Sequence, residues 1–399
     1  MTNKAFCRIF QCGVKFGNYF LGYRTPELIE GAGCIEKVGQ AAAKAGLRNV
    51  LVVIGPNIYK RGLANTMLES LTAAGVSYKA FSDLQANPTD KNVEAGLKVF
   101  KEADCDSIIA FGGGSPMDCA KAIAARAANP KKNVAQLQGL LKAHHKICPL
   151  WAVPTTAGTG SETTMAAVIT ESATHHKASI NDTVLIPKLA VLDPELTRGL
   201  PAKITATTGM DALCHAVEAY TNWTYLSGYE KDLARNAVKL IYENIMDAVN
   251  DGNNIKARQN MQRGAFFAGR AFTRGSVGYV HAAGHPLSAM YDLPHGLVMA
   301  VLLPWVMRLF GQTAHKRLSE LADVCGICKG GSEAQRAEAF ISWIETTNKT
   351  CVIPDRFDCI KDEDIDQMSE WAEKEGNPLY PVPVIWSKND FQRLYKQIR

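Results

Sequence analysis

An α/β dinucleotide-binding domain with a mostly parallel sheet, followed by an all-helical metal-binding domain, is the fold this sequence predicts. Three observations carry that expectation. Between Ile35 and Val153, apolar runs rich in Val and Ile alternate with helical periods. Two loops rich in glycine and hydroxyl side chains each follow one of those runs directly. Beyond residue 200 strand-like runs are few, and an aspartate and several histidines recur at helical spacing.

Composition frames the rest. A chain of 399 residues has ample length for two cores. The expected division is 1–200 for the nucleotide-binding domain, with an N-terminal extension over 1–18, and 201–399 for the helical domain. Hydrophobic residues at 47% and charged ones at 21% describe an ordinary globular protein. The net charge of +5 is scattered, with Lys131-Lys132 a typical short run, so a nucleic-acid surface is excluded. No segment approaches the roughly 18 apolar residues of a span, so no membrane partner is expected. Eleven cysteines without a regular framework point to a reducing, cytoplasmic setting. Cys325-Gly-Ile-Cys328 runs into Lys329-Gly330-Gly331 and reads as a helix-end loop rather than a redox or zinc motif.

Taken in order, the first residues are basic, Glu27 being the first acidic one, and lack the long apolar stretch of a signal peptide. Phe6, Ile9, Phe10 and Val14 suit either a short amphipathic helix or an edge element packed on the fold. Strands are expected at Val50–Ile54, Val76–Phe81, Ser107–Phe111 and Ile147–Val153. Helices are expected at Ile35–Gly46, Ile58–Gly75, Asp90–Ala103 and Pro116–Ala128. Such alternation reads as βαβ units, whose ligands bind beyond the carboxyl ends of the strands.

The candidate loops lie at those ends. Ile108-Ile-Ala-Phe111 runs into Gly112-Gly113-Gly114-Ser115-Pro116-Met-Asp118, then into a helix. Glycines let a backbone approach an anion, and Pro116 suits a first helical turn, whose free N–H groups favour phosphate. Pro154-Thr-Thr-Ala-Gly-Thr-Gly-Ser-Glu162 offers a second set of hydroxyls after another strand. Either loop alone is equally a tight turn or a helix cap; together they favour a dinucleotide. At the end of the first strand Gly55 stands where an acidic residue would bind the adenosine ribose and repel a 2′-phosphate, with Lys60 and Arg61 nearby. This tilts the coenzyme toward NADP(H) over NAD(H).

After Leu192-Asp-Pro194 and Leu200-Pro201 the chain turns helical, ending in a helix at Lys388–Ile398. Asp211 and His215 lie one turn apart, His281 and His285 repeat that geometry, and His295 follows Pro294 where a helix would begin. An aspartate with three imidazoles suits a borderline divalent ion, Fe, Zn or Mn. Ion pairs and hydrogen-bonded buried histidines are the plainer alternative, yet four of the nine histidines fall between His215 and His295.

Four stretches resemble the iron-containing (group III) alcohol dehydrogenases. These are Gly112–Asp118, Pro154–Glu162, Gly209-Met-Asp211-Ala-Leu-Cys-His215-Ala-Val-Glu-Ala-Tyr220, and Gly278-Tyr-Val-His281 through His295-Gly296. They run in the family's order over nearly the whole chain, with Asn377-Pro378 near the end. The resemblance implies hydride transfer between a nicotinamide coenzyme, NADP(H) or NAD(H), and a small primary alcohol or aldehyde, in a homodimer. It implies Fe(2+), with Zn(2+) as a substitute, on Asp211, His215, His281 and His295, and His285 as a proton relay. For the coenzyme it implies Asn87, Gly112, Gly113, Gly114, Ser115, Pro116, Asp118, Thr155, Thr156, Thr159, Thr164 and Lys177. The chain departs from the family pattern at Gly55, where Asp is common, at Ser288-Ala289, where glycines are common, and in its first eighteen or so residues. Competing expectations are a dehydroquinate-synthase-like lyase, a metal-free maleylacetate reductase, and a non-catalytic scaffold that keeps the fold.

Overall fold

Alternation of apolar runs and helical periods folds into a parallel, doubly wound sheet. The computed structural model describes residues 3–173 and 177–399. These fall into two units, Gly22–Gly199 and Leu200–Arg399 joined by Met1–Leu21. Residues 3–21 therefore group with the helical unit, not with the α/β domain to which the sequence reading assigned them. The strands are β1 (Glu27–Glu30), β2 (Asn49–Ile54), β3 (Ser77–Phe81), β4 (Ser107–Gly112), β5 (Gly139–Leu140), β6 (Leu150–Pro154), β7 (Ala166–Thr170), β8 (Lys177–Asn181) and β9 (Leu189–Leu192). The helices of the same unit are α2 (Val38–Lys44), α3 (Pro56–Lys60), α4 (Asn65–Ala73), α5 (Asp90–Glu102), α6 (Gly114–Ala128) and α7 (Val134–Leu137), α1 (Lys4–Gly17) lying outside it.

Six strands form one parallel sheet in the order β1-β9-β6-β4-β2-β3. Its runs look continuously apolar because both faces are covered. Val50, Val52 and Ile54 share one core with Ile109, Phe111 and the α2 and α4 residues Val38, Met67 and Leu71. Leu51 and Val53 share the other with Ile108, Ala110, Val93 of α5 and Ala120 of α6. The period of two along each strand sets that division. From β2 the chain builds outward to β3 on one side and to β4, β6 and β9 on the other, so the order reverses between β2 and β4. Ligand loops belong at such a reversal.

The structure departs from the expected elements in detail. Ile58–Gly75 is not one helix: Gly62, at φ +69, lies between α3 and α4. Residues 34–37 form a 3-10 turn before α2, and the strand expected from Ile147 begins at Leu150. Strands β1 and β9 extend the sheet, and β5, β7 and β8 make a small second one.

The helical unit holds α1 and α8 (Ala202–Thr221), α9 (Gly228–Asn250), α10 (Ile255–Gly275), α11 (Tyr279–Tyr291), α12 (His295–Phe310), α13 (Gln312–Cys325), α14 (Glu333–Thr350), α15 (Asp362–Gly376) and α16 (Lys388–Gln397). Helix α8 is its axis: nearly every residue from Thr205 to Thr221 is buried, against α9, α10 and α12. Helix α11 packs on α12 and α15. Cys325 ends α13 and Gly326 caps it in the left-handed region at φ +67, so the C-x-x-C straddles a helix end. All eleven cysteines are free of disulfides. Among the described residues no helix is long and apolar enough to cross a membrane.

Candidate metal centre and coenzyme loops

Three helices bring the predicted ligands together. Asp211 and His215 project from one face of α8, His281 from the first turn of α11, and His295 opens α12 behind Pro294. Gly296 permits this approach, since a Cβ there would stand 2.6 Å from the Thr207 carbonyl oxygen of α8. One ligand atom from each of Asp211, His215, His281 and His295 lies within 4.8 Å of all the others. His281 Nε2 is 3.1 Å from His215 Nε2, and His295 Nε2 is 3.4 Å from Asp211 Oδ1.

These residues fit a divalent cation. Asp211 is 2% exposed, and its buried Oδ1 takes no hydrogen bond. A buried carboxylate left so is costly unless a cation faces it. Burial, opposed by His285 and helped by the nearby Glu218 carboxylate, pushes Asp211 up to about 7. One carboxylate with three imidazoles is a donor set for iron or zinc.

A second layer orients the ligands. Glu218, three residues after His215 on α8, is 1% exposed. Its Oε1 accepts the Val280 N–H at 2.7 Å, and its Oε2 stands 2.5 Å from His281 Nδ1. Gly278 leaves the room, because a Cβ there would come within 2.9 Å of Glu218 Oε1. Burial pushes Glu218 up to about 8, opposed by the backbone N–H groups of Gly278, Val280 and His281, and pushes His281 down to about 3, keeping its ring neutral. Phe272 of α10 stacks on His215 at 4.2 Å. Cys214, Glu218 and His281 form another close trio. It shares the Nδ1 edge of His281 that Glu218 already occupies, so it supports the first group rather than forming a second one. Sequence reasoning passed over Glu218 and Phe272. Glu218 was detectable as a carboxylate on the same helical face as Asp211 and His215.

His285 joins the ring cluster without joining the ligand set. Its ring centroid is 5.5 Å from that of His295 and 5.7 Å from that of His281. Its Nδ1 pairs with Glu375 Oε1 at 2.7 Å, and the same oxygen accepts the Tyr380 hydroxyl at 2.9 Å.

In the α/β unit the predicted coenzyme residues gather at the carboxyl ends of adjacent strands. Ile54 pairs with Phe111 and Gly112 with Pro154, so Gly55 and both loops leave the sheet side by side. Thr155 N–H continues the ladder to Gly112 O at 3.0 Å. Gly112, at φ +145, holds a conformation that side chains rarely adopt, and a Cβ there would meet Pro116 at 2.7 Å. Gly113 lies beside Thr156, and Gly114 beside Thr159. Asn87, in the left-handed region at φ 58, donates its N–H to Ser115 Oγ and accepts Lys177 Nζ at 3.0 Å. Two predicted residues turn inward instead. Asp118 accepts Ser161 Oγ and the Val168 N–H, and buried Thr164 accepts Lys121 Nζ at 2.8 Å. Lys121, absent from the sequence reading, is 1% exposed and also donates to Ser161 Oγ and Ala166 O. Burial lowers it to about 8 and raises its neighbour Glu162 to about 7. Together they tie the second loop to α6.

Comparison with known proteins meets this geometry. Residues 25–194 match the family described as iron-containing alcohol dehydrogenase, and 205–399 match its Fe-containing C-terminal domain. The chain belongs to the iron-containing alcohol dehydrogenase family. It is 37% identical to alcohol dehydrogenase 4 of Schizosaccharomyces pombe over 88% of this chain and 84% of that protein. It is 36% identical to the NAD-dependent methanol dehydrogenase of Bacillus methanolicus, over 89% and 93% of the two chains. A solved 1,3-propanediol oxidoreductase superposes with a TM-score of 0.91 at 34% identity, covering 95% of this chain and all (100%) of the other. Of the expectations raised by sequence, the alcohol dehydrogenase therefore stands over the lyase, the metal-free reductase and the scaffold. In this alcohol dehydrogenase the four candidate ligands stand together, with Glu218 against His281 and Lys121 against the second loop.

Proposed function

We propose that this alcohol dehydrogenase interconverts small primary alcohols and aldehydes, with NADP(H) serving at least as well as NAD(H). The observation that carries the reading is the four-atom group of Asp211, His215, His281 and His295 around a buried oxygen without a hydrogen bond. Those residues would hold Fe(2+), or Zn(2+) in its place, and the ion would polarise the substrate oxygen. Asp211 contributes the only charge among the four, and Glu218 fixes the His281 ring so that Nε2 faces inward. His285, held by Glu375, is suited to carry the alcohol proton away.

The α/β unit would hold the coenzyme. The Gly112–Gly114 backbone and Ser115 and Pro116 at the start of α6 would take the pyrophosphate. Thr155, Thr156, Thr159, Asn87 and Lys177 would supply side-chain contacts, while Asp118 and Thr164 hold the second loop in shape. Gly55 leaves space for a 2′-phosphate. Aldehyde reduction is the cellular direction this favours, in a cytoplasmic homodimer. The experiment is a panel of short aldehydes, hydroxyaldehydes and alcohols with both coenzymes, run anaerobically on iron-loaded protein beside a metal assay. Turnover lost on chelation supports the reading; metal-loaded protein inert across the panel ends it.

A further inference from the structure

Helix α1 is joined to His285 by a chain of hydrogen bonds. It precedes residue 25, where the family match begins, so these contacts come from a segment outside that match. A surface helix normally buries an apolar stripe. The buried side of α1 instead carries fully buried Gln11 and partly buried Arg8, beside Cys7. That side meets the segment Asn377-Pro378-Leu379-Tyr380-Pro381-Val382-Pro383. Prolines carry no N–H, so this segment cannot join a ladder, and its carbonyls need donors from outside. Every carbonyl from Pro378 to Pro383 has one. Gln11 Nε2 donates to Pro378 O and Tyr380 O at 3.1 and 2.8 Å. The Arg8 guanidinium donates to Val382 O and Pro383 O at 2.8 and 2.7 Å. The Tyr225 hydroxyl and the Trp223 backbone N–H supply Leu379 O and Pro381 O. Gln11 Oε1 accepts the Trp223 indole N–H at 2.8 Å and an Arg8 N–H at 2.9 Å, so both ends of its amide are engaged.

Two side chains of α1 thus hold both ends of this segment. From its middle, Tyr380 turns back to α15. Its N–H donates to Gly376 O at 2.8 Å and its hydroxyl to Glu375 Oε1 at 2.9 Å. The same oxygen stands 2.7 Å from His285 Nδ1. One carboxylate oxygen serves both the tyrosine and the histidine, so its place depends on where the Tyr380 backbone is held. We propose that Gln11 and Arg8 are positioning residues for proton transfer: by clamping residues 378–383 they set Tyr380, through it Glu375, and through that the His285 ring. The proposal rests on the reading of His285 as the residue that carries the alcohol proton. A helix that only stabilised the fold would have no energetic link to the Tyr380 hydroxyl, and that link is measurable.

The test is a double-mutant cycle in the metal-loaded full chain, with Gln11→Ala, Tyr380→Phe and the two combined, run beside His285→Ala. Alcohol oxidation is followed at saturating coenzyme in light and heavy water. Each single variant of the cycle should keep metal content and coenzyme KM, lower kcat about fivefold or more, and raise the solvent isotope effect. The combined variant should be no slower than the slower single one, since both changes act through the same oxygen. Should Gln11→Ala fail to fold, Arg8→Lys takes its place, because an ammonium cannot span both carbonyls as the guanidinium fork does. A single variant with the parent's kcat and isotope effect, or losses that multiply in the combined variant, overturns the proposal while a slow His285→Ala leaves the relay standing. His285→Ala with the parent's turnover removes the relay, and the proposal with it.

Discussion

Glu218 Oε2 stands 2.5 Å from His281 Nδ1, deep in the helical unit. The contact fixes the ring and leaves Nε2 for an ion, as carboxylate–histidine pairs do around metals. Glu218→Ala should weaken metal affinity by about 10–100-fold. Glu218→Gln should lose less: it keeps the volume, but its amide N–H₂ must face either the Val280 N–H or the ring. Competition against a calibrated chelator reads this without any turnover. A folded Glu218→Ala protein that binds metal as tightly as the parent would remove Glu218 from the account.

Metal uptake should also release protons near neutral pH. Burial holds Asp211 up at about 7 and Glu218 at about 8, both above an ordinary carboxylate. An acid raised in this way keeps its proton below its own pKa. Below that range the ion must displace protons, so affinity rises with pH and levels off above about 8. Each proton displaced adds about a tenfold gain per pH unit in that range. Titration calorimetry of ion-free protein in buffers of different ionisation enthalpy counts the protons. Affinity that stays flat across the acid side of neutrality would contradict it.

What was legible in the sequence follows from what each feature depends on. Strands β2 and β4 show as apolar runs because both their faces are buried, a local property. Strand β1, Glu-Leu-Ile-Glu at the sheet edge, offers two exposed glutamates and no alternation to read. Asp211 and His215 were visible as candidate ligands because spacing of four residues on a helix is a sequence property, whereas the choice of His281 and His295 over His285 came from the family resemblance. Glu218 was missed because its partner arrives from α11, 63 residues on. Lys121 was missed for a like reason: a lysine on a helix ordinarily faces water, and only the fold brings Ser161, Thr164 and Ala166 around it. Helix α1 was only one of two readings of the first residues, beside an edge element, and which face it buries depends on the carbonyls of residues 378–383.

His285 and Glu375 should separate proton transfer from binding. His285→Ala should keep metal and coenzyme affinity yet lower alcohol oxidation by about 100-fold or more, flattening the pH profile near neutrality. Glu375→Gln keeps a hydrogen-bonding partner at 2.7 Å and should lose less while shifting the profile. Unchanged pH dependence in His285→Ala, with weaker coenzyme binding instead, would assign the residue to packing.

Gly55 offers the sharpest test of coenzyme choice. It directly follows β2 and serves as N-cap of α3 at φ −63, a conformation open to any residue. A Cβ there would meet only Ile58 and Pro116, at 3.7 and 3.8 Å, which is ordinary contact. Aspartate is also a good N-cap, so Gly55→Asp should fold at least as well as the parent. Its carboxylate would face the adenosine ribose, accepting both hydroxyls of NAD(H) and repelling the 2′-phosphate of NADP(H). The expected outcome is a parent that uses NADPH at least as well as NADH and a variant shifted toward NADH by about tenfold or more, since one such contact is worth about 1.4 kcal/mol or above. Parallel kcat/KM measurements with both coenzymes decide it. A parent with strong NADH preference would show that residues other than Gly55 set the choice, and an unshifted variant would show that the ribose does not reach the end of β2.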